Sequence, residues 1–147
     1  MCQAETQSAV YLSAFFDRYK DEYINLLFKV SFQGNWRDWI KFCLRGTIEQ
    51  SKDSIRRFDE LLALRSQYME QLKQVRGSFR LNQIIEHLFE SPAITVPQLV
   101  RMCDISYPTA RKDIERLVSV GILSLSTISE RPKVYFAPRI LEIAFND

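Results

Sequence analysis

The sequence predicts a mainly helical α+β chain, in which an N-terminal segment carrying one very long helix precedes a winged helix-turn-helix domain with a two-stranded wing. Three observations predict it. Residues 106–121, S-Y-P-T-A-R-K-D-I-E-R-L-V-S-V-G, place an N-cap serine (Ser106), a first-turn proline (Pro108) and a terminating glycine (Gly121) around one helix. Just upstream, Thr95 caps a short helix over 96–103, and Asp104-Ile105 forms the tight connection of a helix-turn-helix. Just downstream, residues 122–127 alternate apolar and polar, a polar turn over 129–133 follows, and 134–137 reads as the returning strand.

In chain order, residues 1–10 carry no periodic signal and read as a ragged start. Over 11–32, Leu12, Phe15, Phe16, Tyr19, Tyr23, Leu26, Leu27 and Val30 follow the 3.6-residue period, which predicts a strongly apolar amphipathic helix. Gly34 supplies its C-terminal turn, and Asn35 caps the next helix with Asp38 three residues on. No proline interrupts 35–91, so that helix, starting at Trp36, is expected to run for roughly ten turns until Gly77-Ser78. Trp36, Trp39, Ile40, Cys43 and Leu44 are expected to pack its first turns. Beyond Ile48, the residues Ile55, Phe58, Leu62, Met69 and Leu72 form a nearly heptad seam, with Arg65 in the place of one apolar residue.

Gly77 marks the expected domain boundary, giving a helical segment over 1–77 and the winged domain over 78–147. The winged domain opens with a helix over 79–91 that turns Leu81, Ile84, Ile85, Leu88 and Phe89 inward and stops at Ser91-Pro92. In the helix after Ser106, the packed face is assigned Ala110, Ile114, Leu117 and Val118. The open face is assigned Thr109, Lys112, Asp113, Arg116 and Ser119. Pro138 opens a last helix over 139–145.

Composition narrows the function. At 147 residues, 46% apolar and 26% charged, the chain has a globular composition and can bury a core. Cys2, Cys43 and Cys103 are far apart and form no C-x-x-C pair, so reduced thiols are expected and no metal site. No apolar run is long enough to span a bilayer, and the first residues lack the regions of a signal peptide, so a cytoplasmic location away from membranes is expected. The net charge is +2, yet residues 79–147 hold eight Lys/Arg and eight Asp/Glu. A duplex is held mainly by phosphate neutralisation, so a neutral module needs its basic residues clustered.

Candidate DNA contacts are Ser106, Tyr107 and Thr109 at the helix start, Arg111, Lys112 and Arg116 along it, and Arg131 and Lys133 in the wing turn. The alternative is a solvated helix face and an ordinary soluble loop, and Asp113 and Glu115 oppose phosphate approach. His87 has no second ligand nearby and reads as structural. Trp36 and Trp39 with Phe42 read as core rather than as a ligand platform. The seam of Ile55, Phe58, Leu62, Met69 and Leu72 reads either as a dimerisation surface or simply as the face that covers neighbouring helices; dimerisation is the expectation, because the two N-terminal helices carry more apolar surface than a hairpin buries alone.

Two stretches together resemble the C-terminal part of Fic family proteins. Y-L-S-A-F-F-D-R-Y-K-D-E-Y-I-N-L-L at 11–27 with G-N-W-R-D-W-I-K-F-C-L-R-G at 34–46 is similar to the segment after their catalytic core. I-S-Y-P-T-A-R-K-D-I-E-R-L-V-S-V-G-I-L at 105–123 is similar to their appended winged helix. Fic enzymes transfer AMP from ATP to a protein hydroxyl through H-P-F-x-x-G-N-G-R-x-x-R. Nothing after His87 matches that motif, and Gly34-Asn35 is followed by Trp36. No catalytic residue carries over, and phosphate cradling needs more glycines than this site offers. The resemblance therefore implies a C-terminal fragment or a standalone relative without the catalytic core.

The expected function is a DNA-binding, regulatory module of a Fic-type protein that acts as a homodimer on double-stranded DNA. The alternative is a protein-interaction and dimerisation module that presents target proteins to, or regulates, a Fic catalytic core. No cofactor is expected, and this chain is not expected to be an enzyme, although a full-length parent could be a protein adenylyltransferase.

Overall fold

The computed structural model describes residues 12–73, 78–127 and 132–145; the expected ragged start, the boundary residue Gly77 and the wing residue Arg131 lie outside them. The chain divides into two compact units, residues 1–58 and 59–147.

In the first unit, α1 (Leu12–Arg18) and α2 (Lys20–Gln33) accompany the start of α3 (Trp36–Leu72). The single helix expected over 11–32 is thus interrupted at Tyr19, which takes φ −111° and ψ 38° although no glycine or proline marks the place. Its ring centroid lies 4.8 Å from that of Phe15 one turn back, and the Arg45 guanidinium of α3 sits 4.9 Å above it. Arg45 also donates to Glu22 of α2 at 2.8 Å, which holds its guanidinium pKa above the ordinary value.

Gly34 ends α2 at φ +67°. Its N–H donates to the Val30 carbonyl and that of Asn35 to the Lys29 carbonyl, satisfying two orphan carbonyls as a Schellman turn does. Phe15, Leu26 and Phe42 form the buried centre, flanked by Phe16, Tyr23 and Trp39. The core reading therefore holds for Trp39 and Phe42. Trp36, Ile40 and Leu44, expected to pack as well, are exposed. Helical spacing explains the split for two of them: 39, 42, 43 and 46 share the packed face, while 40, 44 and 48 lie on another. Trp36 lies on the side of Cys43 and is exposed as the first residue of α3.

In the second unit, the last turns of α3 bury Leu64, Tyr68 and Leu72 in one cluster with α4 (Ser78–Glu90). This is why the division falls within α3 and not at 77: the winged core recruits the end of the long helix. Arg65, which stood in for an apolar seam residue, donates from Nε to both Glu86 carboxylate oxygens of α4 at 3.0 and 3.1 Å.

The unit continues with β1 (Ala93–Thr95), α5 (Val96–Cys103), α6 (Tyr107–Ser119), β2 (Ser124–Leu125), β3 (Val134–Phe136) and α7 (Pro138–Phe145). The expected two-stranded wing is present as β2 and β3, paired antiparallel with Leu125 opposite Tyr135. The sheet has a third strand that the sequence did not signal. β1 pairs with the other edge of β3, Ile94 opposite Tyr135, in the order β1-β3-β2. Three residues after Pro92, the last of them the capping Thr95, are too few to show alternation, so only the free edge of β3 makes them a strand.

Candidate nucleic-acid interface

The helix-turn-helix is set by local chemistry. Thr95 accepts from the Gln98 N–H at 3.4 Å while the Gln98 side chain accepts from the Thr95 N–H at 2.8 Å, a capping box that opens α5. Asp104 ends α5 in the left-handed conformation, φ 50°, which a short polar side chain tolerates, and its N–H donates to the Val100 carbonyl. Ser106 then takes the extended N-cap conformation before α6. Its hydroxyl lies 2.8 Å from that of Thr109 and caps no backbone N–H. Gly121, at φ +78°, supplies the left-handed turn after α6, and the Ile122 N–H closes back on the Leu117 carbonyl at 2.9 Å.

α6 packs through Ala110, Ile114 and Leu117, as the spacing predicts. Two residues depart from their assigned faces. Val118 is 38% exposed, and Asp113, assigned to the open face, is buried at 1% exposure. The signal was present in the sequence: Asp113 lies three residues after Ala110 and four before Leu117, so helical spacing places it on the packed face.

The buried carboxylate is satisfied by two arginines. Asp113 Oδ2 accepts from Arg80 Nε of α4 at 2.5 Å, and Oδ1 accepts from Arg116 Nη1 at 3.4 Å. The hydrogen bond to Asp113 is the main reason that the Arg80 guanidinium pKa lies above the ordinary value. Burial pushes the neighbouring Cys103 thiol pKa up; the Asp113 charge adds to that shift and the Arg80 charge opposes it. The acidic residue that stood against DNA contact is therefore neutralised inside the domain and presents no bare carboxylate on the outer face of α6.

That outer face carries Tyr107, Arg111, Lys112 and Arg116, all exposed, with Ser106 exposed and Thr109 half-buried at its start. Arg111 donates to Glu115 at 2.8 Å, so one basic residue is held by the acid beside it. Lys133 is exposed at the start of the returning strand, while Arg131 lies outside the described residues. Arg80, which no sequence signal singles out, shares the Asp113 carboxylate with Arg116. Its partner lies 33 positions away, and no periodicity links the two.

The dimerisation seam does not hold as one surface. Leu72 is 1% exposed within the core, Met69 is half-buried, and Ile55, Phe58 and Leu62 are exposed. The C-terminal part of α3 turns its seam toward α4, as Leu72 and the Arg65–Glu86 pair demonstrate. Among the described residues, no group of His, Cys, Asp and Glu could hold a metal ion, and no helix is long and apolar enough to cross a membrane.

Residues 80–124 match the family model of the DeoR-like helix-turn-helix domain. The match begins at Arg80, spans α5 and α6, and ends at the first residue of β2. It supports a DNA-binding regulatory role for this part of the chain, a binding module and not a catalytic one.

Proposed function

We propose that the chain is a DNA-binding regulator that docks α6 in the major groove of duplex DNA and lays its wing on the backbone. One observation carries this reading: Asp113 is withdrawn into the core, while Lys112 and Arg116 remain exposed on the side of the helix that Thr109 shares, and Tyr107 is exposed at the helix start. A domain with no net charge over 79–147 thereby keeps a locally basic helix face. Ser106, Tyr107 and Thr109 stand at the helix start, where base edges are read. Lys112, Arg116 and Lys133 meet phosphates.

Fluorescence anisotropy against mixed duplex DNA tests this, at low and moderate salt, with the Lys112→Ala/Arg116→Ala variant alongside. Loss of two phosphate contacts reduces the slope of log K against log salt by about 2. Failure of the wild type to bind duplex at low salt removes the reading.

A second reading rests on a different observation. Trp36, Ile40, Leu44, Ile48, Ile55 and Phe58 leave a stripe of large apolar side chains exposed along α3 at helical spacing. Such a stripe favours a protein-interaction role, either homodimerisation or docking to a Fic catalytic core, in line with the Fic-like sequences at 11–46 and 105–123. Analytical ultracentrifugation of the wild type and of Ile40→Asp/Leu44→Asp distinguishes the two forms of it. A dimer converted to monomer supports self-association. A wild type that is monomeric and ignores an added Fic core removes the reading.

A further inference from the structure

We propose that Arg80 is a phosphate contact for nucleic acid, and that Asp113 is the positioning residue that fixes it beside Arg116 at the edge of α6. This rests on the DNA-binding reading and extends it to a residue on a different helix.

The argument starts from what a buried carboxylate needs. At 1% exposure, Asp113 must be paired, and one guanidinium would suffice for charge balance. Two are present, so Asp113 alone does not consume the charge of both guanidinium groups. The geometry divides the work within Arg80. The Nε–H is spent on Asp113 Oδ2, and among the described residues the Nη1 and Nη2 groups donate to no protein acceptor. That free end of the guanidinium fork is what holds a phosphate through two parallel hydrogen bonds.

A purely structural arginine would be enclosed with its carboxylate. The Arg80 side chain instead stays 30% exposed and that of Arg116 47% exposed, so both reach from the buried acid to solvent. Neither guanidinium swings freely, because each is tied to one oxygen of the same carboxylate, and little side-chain entropy remains to be lost when a phosphate arrives. The ligand chemistry is that of a phosphodiester backbone lying along α6. The contact adds affinity without base preference.

The test measures duplex affinity as a function of salt for the wild type, Arg80→Ala and Arg80→Met/Asp113→Leu, each checked for folding by circular dichroism. The double variant replaces the ion pair by apolar side chains, which buried pairs tolerate, and so guards against unfolding of the single variant. Removing one phosphate contact lowers the salt slope by about 0.9 and weakens binding about eightfold at about 0.1 M salt. The loss is the same for unrelated sequences, as a backbone contact requires. A folded double variant with the wild-type slope overturns the proposal while leaving α6 as a DNA reader. A wild type that binds no duplex overturns this inference together with the reading beneath it.

Discussion

A Cβ added to Gly46 would lie 2.6 Å from a ring carbon of Phe15. Glycine inside a helix costs about 1 kcal/mol relative to alanine, and here the cost is met because α1 lays the Phe15 ring directly on the α3 backbone. Phe15 is fully buried and packed on Phe42 with ring centroids 5.0 Å apart, so it has no room to retreat.

Gly46→Ala is therefore destabilising despite its better helix propensity. Overpacking costs about 1–3 kcal/mol, which leaves a net loss of up to about 2 kcal/mol in the helical unit. Thermal melts followed by circular dichroism check it. Combining Gly46→Ala with Phe15→Leu relieves the clash, so the two changes are non-additive. An additive outcome means that the close approach is not what selects glycine.

The Tyr68 hydroxyl is buried in the winged core and has no hydrogen-bond partner among the described residues. Its ring packs beside Phe89 with centroids 6.4 Å apart, and burial pushes its pKa up. Removing an unsatisfied buried hydroxyl relieves a desolvation cost, so Tyr68→Phe is neutral or stabilising by up to about 1 kcal/mol. Denaturant titration measures this, and a loss above about 1 kcal/mol would mean that the hydroxyl makes a bond in solution.

Cys103 reports on the Arg80–Asp113 pair from its place at the end of α5. Burial holds its thiol above the ordinary cysteine value, so in the folded protein alkylation rises at higher pH than for a free cysteine. Arg80 opposes that shift. Removing its charge therefore moves the alkylation profile to higher pH, provided that the variant stays folded. Iodoacetamide rates across the pH range, in a Cys2→Ser/Cys43→Ser background, test both statements. A profile unchanged in Arg80→Ala would separate the thiol from the pair.

The elements of the winged helix-turn-helix were legible because their signals are local. Thr95 with Gln98, Pro108, Gly121 and the alternation after it each act within a few residues. The limits of α6 and the start of α7 at Pro138 follow the same rule. Asp113 was legible too, on the strict reading of its spacing from Ala110 and Leu117.

Other features depend on what the rest of the chain places opposite. β1 exists because β3 has a second edge to pair, and Tyr19 breaks a helix without any breaker residue. Leu62 and Leu72 are alike as members of an apolar seam, yet one faces out and the other fills the core under α4. For this protein the sequence by itself determined the order and limits of most elements and the basic character of α6, since capping, periodicity and glycine conformation are short-range effects. Only the tertiary structure decided that Asp113 would be neutralised by Arg80. That pairing joins residues far apart in the chain, and a buried carboxylate finds its partner only when the helices carrying both have packed.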